Sequence, residues 1–63
     1  MSFSEKVKTV RYKLGLSQEK LAAKIGVSFS TINRWENGHG KPSFLALDKF
    51  TSLCKENNIE FDE

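Results

Sequence analysis

The sequence predicts a compact all-α domain of four to five helices, here four helices followed by a short apolar tail, within 63 residues. Three observations predict it. Apolar residues recur at three- and four-residue spacing in every segment between breaks, as they do along one face of a helix. A serine heads each segment, where a helix start needs an acceptor for its unpaired amides. Glycine or asparagine closes each one, the residues that most readily turn a chain out of a helix.

The first helix opens at Ser2-Phe3-Ser4-Glu5, where Ser2 caps and Glu5, three residues on, reaches back to it. Phe3, Val7, Val10 and Leu14 make its stripe, and Gly15 ends it. Ser17 caps a second helix of about residues 18–25, with Leu21, Ala22 and Ile25 on one face and Gly26 as its stop. Only Val27 then precedes Ser28, which caps a third helix of about residues 28–37 closed by Gly38. Residues 37–42 read as a loop. Ser43 caps the fourth helix, whose expected stripe is Phe44, Leu47, Phe50 and Cys54, with Leu53 beside it. Asn57-Asn58 breaks that helix, and Ile59 and Phe61 are expected to fold back over the core.

Length and composition narrow the function. A chain this short makes one domain, residues 1–63, with little core to spare for an elaborate pocket. Cys54 is the sole cysteine, which excludes an internal disulfide and a Cys/His zinc set; a small buried residue is the expectation for it. His39 stands among glycines, in the manner of a solvated loop residue. No metal and no cofactor is expected. Nor are there paired acids in a plausible cleft, a Gly-rich phosphate loop, or a nucleophile with a nearby base, so the chain is not expected to be an enzyme. No apolar run approaches the ~20 residues of a membrane span, and the N-terminus lacks a secretion signal's basic start and apolar stretch. A cytoplasmic protein with a reduced thiol is expected.

Net charge is only +2, but it is unevenly spread. Residues 1–49 hold nine Lys/Arg against four acids, a balance of +5, while residues 50–63 hold Lys55 against four acids, a balance of −3. A basic body with an acidic tail suits a polyanionic partner for the body, and a mixed solvated surface fits the charge alone equally well.

Two short helices joined by a tight glycine turn, with helices on both sides, form a helix-turn-helix unit. The full pattern is Gln18-x-x-Leu21-Ala22-x-x-Ile25-Gly26-Val27-x-x-x-x-Ile32-x-x-Trp35-Glu36-Asn37-Gly38. Ala22 must be small for the two helices to cross closely, and Gly26 must accept a positive φ. Leu21, Ile25, Val27, Ile32 and Trp35 fill the wedge between them. This pattern resembles the lambda-repressor and Cro (Xre) family of phage and bacterial regulators, over nearly the whole chain from Val7 to Phe61. The resemblance implies a bacterial, archaeal or phage origin and a partner of double-stranded DNA, read in the major groove by the third helix.

Helical geometry selects the residues for that task. At about 100° per residue, Ile32 and Trp35 point inward, and Ser30, Asn33, Arg34 and Asn37 point away, with Phe29 and Thr31 on the shoulders. Asn suits adenine N6 and N7, and Arg suits guanine O6 and N7. The expected base-reading set is Ser28, Phe29, Ser30, Asn33 and Arg34. Phe29 departs from the polar residue often found there. It either packs on a thymine methyl, leans inward or meets a partner protein. The expected phosphate-binding set is Gln18, Thr31, Asn37 and Lys41. Gln18 enters it because helix starts favour anions and because the resemblance implies a phosphate grip at that position. Lys41 and Asn37 enter as residues of the loop that follows, with His39 beside them. The resemblance also implies a structural ion pair between Arg11 and Glu36.

The function expected is sequence-specific DNA binding by a transcriptional regulator, a repressor acting as a weak homodimer on a palindromic site, with no small-molecule ligand evident. Its alternatives are a protein-interaction module such as an antitoxin, or the DNA-targeting domain of a larger protein.

Overall fold

Four serines start four helices. The computed structural model describes residues 1–61; Asp62 and Glu63, counted above in the acidic tail, lie outside the described residues. The helices are α1 (Phe3–Leu14), α2 (Gln18–Ile25), α3 (Phe29–Glu36) and α4 (Phe44–Glu56). Ser2, Ser17, Ser28 and Ser43 each hold an extended backbone and accept a hydrogen bond from the amide three residues on, in Glu5, Lys20, Thr31 and Ala46. That bond satisfies one of the amides a helix start leaves unpaired. At Ser2 the box is closed reciprocally, with the Glu5 carboxylate accepting from the Ser2 amide at 3.1 Å.

The break between α2 and α3 takes three residues, as does the one between α1 and α2. Gly26 sits at φ 81°, and its amide returns to the Ala22 carbonyl at 2.8 Å. An L-residue with a Cβ resists that conformation, so glycine there lets α3 begin with only three residues between it and α2. α3 and α4 stop instead at Asn37 and Asn57, each followed by a left-handed residue, Gly38 and Asn58. Asn58, at φ 56°, is the one described non-glycine residue with positive φ; asparagine tolerates it best. The turn sends the chain back over the body, and the Ile59 amide reaches the Cys54 carbonyl at 2.9 Å.

The core lies where the four helices converge. Val7 and Val10 of α1, Leu21, Ala22 and Ile25 of α2, Ile32 and Trp35 of α3, and Ala46, Phe50 and Cys54 of α4 are all buried. Ile59 joins them, and Phe61 packs against the cluster with the Lys6 ammonium 5.5 Å from its ring centroid. Phe3 sits edge-to-face against Trp35 at 5.3 Å and Phe50 at 5.4 Å, tying the first turn of α1 to both α3 and α4.

One face differs from the expectation. Phe44 is 89% exposed and Leu47 41% exposed, whereas Ala46 is buried. The inward stripe of α4 is Ala46, Phe50, Leu53 and Cys54, at i, i+4, i+7 and i+8. Ala46 lines a small cavity together with Gly26 and Val27. Phe44 and Leu45 are turned to solvent. The tail does fold back over the core, with Ile59 buried and Phe61 half-buried.

Candidate nucleic-acid interface

A charge pair ties the end of α3 to α1. Arg11 Nε donates to Glu36 Oε2 at 2.6 Å and Arg11 Nη2 donates to Oε1 at 2.9 Å, a bidentate bridge between α1 and α3. Ser4 adds a second tie, its hydroxyl donating to the Glu36 carbonyl at 2.7 Å. Glu36 is 5% exposed. Burial pushes its carboxyl up. The hydrogen bonds from Arg11 and Gln18, with the charges of Arg11 and Lys8, outweigh that and hold it below the usual carboxylate value. Donating to Glu36 in turn holds the Arg11 guanidinium above its ordinary value.

Glu36 is the only acid in α3, and it is turned inward. The outward face of the helix therefore carries no negative charge. Ser30 and Arg34 are exposed there, Phe29 is 48% exposed at its head, and Asn33 is half-buried. Thr31 is half-buried, and its hydroxyl lies 2.8 Å from that of Ser28. Ser28 also caps the helix through the Thr31 amide at 3.1 Å, so its hydroxyl already serves two local bonds.

Three amide side chains meet beside this face. Gln18 Nε2 donates to Glu36 Oε1 at 3.1 Å, and Gln18 Oε1 accepts from Asn33 Nδ2 at 3.3 Å. Asn37 Nδ2 in turn donates to the Asn33 carbonyl at 2.9 Å and to Asn33 Oδ1 at 3.2 Å. Sequence reasoning placed Gln18, Asn33 and Asn37 on the interface one by one. It missed their linkage and the tie from Ser4. Those partners lie 15, 18 and 32 residues apart, and no local pattern marks such a contact.

The loop after α3 closes the site on one side. Its cleft of about 260 Å³ is lined by Thr31, Arg34, Trp35, His39 and Lys41 among others. The Arg34 guanidinium lies against Gly40, where an added Cβ would meet Nη2 at 3.2 Å. His39 and Lys41 are exposed, and Lys41 and Arg34 put positive charge along this edge of α3. Arg11 and Glu36 thus lie beneath the outward face of α3, Ser28 and Thr31 at its head, and Lys41 at its flank.

Together, the two helices, their glycine turn and the acid-free face of the second define a helix-turn-helix protein. A model of the helix-turn-helix family matches residues 7–57. The chain belongs to the lambda-repressor-like helix-turn-helix family of DNA-binding transcriptional regulators. It is 35% identical, over its full length, to the HTH-type transcriptional activator BcrR of Enterococcus faecalis, of which it spans 32%. It is 36% identical over 92% of its length to YgzD of Bacillus subtilis, an uncharacterized HTH-type transcriptional regulator of which it covers 83%. No solved structure matches it. Among the described residues, no helix is long and apolar enough to cross a membrane.

Proposed function

We propose that this chain lays α3 in the major groove of double-stranded DNA, reads a short sequence there, and so regulates transcription from the cytoplasm. The observation that carries the reading is the acid-free outward face of α3, whose one carboxylate is drawn into the body by Arg11. Arg34 and Asn33 are the principal base readers, with Ser30 and Phe29 at the near end and Ser28 at the head of the helix. Lys41, the first turn of α2 at Gln18, Thr31 and Asn37 border the backbone phosphates, which position the domain without reading sequence.

One eight-residue reading helix spans only a few base pairs, so two copies act together on a palindromic site, about one helical turn apart. Selecting bound duplexes from a random pool tests both parts. Enrichment of a palindrome with half-sites about 10 base pairs apart is the expected result. Enrichment of nothing, together with salt-independent binding, overturns the reading. A promoter–reporter assay on the selected site gives the sign of regulation; the relative from Enterococcus faecalis is named an activator, so activation stands beside repression.

A second reading draws on two further observations. The chain spans about a third of that activator's length, and Phe44 and Leu45 lie exposed on α4. Both suit the DNA-targeting domain of a larger protein or a protein-interaction module. A partner that co-purifies while no duplex is enriched favours the latter.

A further inference from the structure

The amides beside α3 form a directed chain, and its direction starts at a buried charge. A carboxylate only accepts hydrogen bonds, so the group that Gln18 turns toward Glu36 must be its NH2. Its carbonyl oxygen then faces Asn33, which must answer with its own NH2. The Asn33 carbonyl oxygen is left facing Asn37, whose NH2 donates to it. Reversing Asn33 alone would set oxygen against oxygen at Gln18 and NH2 against NH2 at Asn37. Reversing Gln18 would set its oxygen against the Glu36 carboxylate, which Arg11 keeps ionised.

An asparagine amide has two protons and two lone pairs. Gln18 takes one proton and Asn37 one lone pair, leaving Asn33 one donor and one acceptor. That remaining pair complements the N7 acceptor and N6 donor of adenine. We infer that Gln18 is a positioning residue that fixes which way round the Asn33 amide faces the groove, and thereby fixes the base that Asn33 selects. This rests on the DNA-reading function proposed above and gives Gln18 a role in specificity beyond any phosphate contact.

The full chain carrying Gln18→Ala tests it in two ways. In the free protein, the side-chain NH2 resonances of Asn33 should move while backbone resonances of α1 and α4 stay in place. Unmoved Asn33 resonances overturn the inference, whether or not the protein binds DNA. On a selected duplex, Gln18→Ala should cut the preference at the position relaxed by Asn33→Ala on the order of tenfold, the level at which a bidentate contact discriminates. Other positions should keep their preference, and Gln18→Ala with Asn33→Ala should be no less selective than Asn33→Ala alone. Equal weakening on all sequences leaves Gln18 a phosphate contact only and overturns the inference. Gln18→Met, which keeps the side-chain length, gives the same measurement if Gln18→Ala lowers stability. A wild-type chain that selects no duplex overturns the underlying function, and the free-protein resonances then report on the amide chain separately.

Discussion

Replacing Arg11 with methionine removes both guanidinium bonds from Glu36 and leaves its carboxylate with Gln18 as the remaining side-chain donor. Stranding a fully buried charge costs about 3–5 kcal/mol, and breaking an exposed pair about 0–1. The Arg11 side chain is 16% exposed and that of Glu36 5%, near the buried limit but open on one side. A loss of about 2–4 kcal/mol follows. At ~0.05–0.15 kcal/mol per residue, a chain of this length holds only roughly 3–9 kcal/mol in all. The melting temperature should therefore fall by about 10–25 °C. Acidity supplies a second signature. In the wild type the carboxyl of Glu36 sits below its unfolded value, so its contribution is complete above the unfolded value and is lost as pH falls through the folded one. Without Arg11, burial dominates and pushes that carboxyl up, so the variant regains stability as the acid protonates. The gap between the two proteins should narrow from pH 7 to below pH 4, a window set by the ordinary carboxylate value of about 4.3. Arg11→Met combined with Glu36→Leu removes the stranded charge and should recover most of the loss. Urea and thermal melts across that pH range are the assay. A loss under about 1 kcal/mol, or a double variant no more stable than Arg11→Met, refutes the picture of a buried bridge holding α3.

Four further substitutions probe the interface and the fold. Asn33→Ala and Arg34→Ala should each relax base preference at one position per half-site and cost about 1–3 kcal/mol on the selected duplex, measured by competition binding. Equal losses on selected and random DNA would mark them as phosphate contacts instead. Lys41→Ala should weaken binding to every sequence alike and lower the salt slope by roughly one ion; an unchanged slope in a salt titration removes it from the interface. Ala22→Leu should loosen the domain, because Ala22 is 3% exposed in the packing of α2 and overfilling such a site costs about 1–3 kcal/mol. A thermal melt within a degree of wild type would contradict that packing.

What the sequence determined by itself is the part of this protein that local chemistry controls. Serine caps reach amides three residues away, Gly15 and Gly26 adopt left-handed backbone, and Asn57-Asn58 ends α4, all within one helical turn. The stripes of α1, α2 and α3 were legible for the same reason, since one arc of each helix is apolar and the other polar. The fourth helix was not. Phe44, Leu45, Leu47, Phe50 and Leu53 leave it two plausible apolar arcs, and only packing against the other helices selects the one that contains Ala46. The polarity of the outward face of α3 was beyond the sequence as well. Which atoms of the Asn33 amide are bonded within the protein depends on Gln18, Glu36 and Asn37. Three of those side chains come from α3 and its cap and one from α2, and the Arg11 charge that holds Glu36 ionised comes from α1. A hydrogen bond's direction belongs to a pair of groups in space, and these groups become neighbours only when the helices pack.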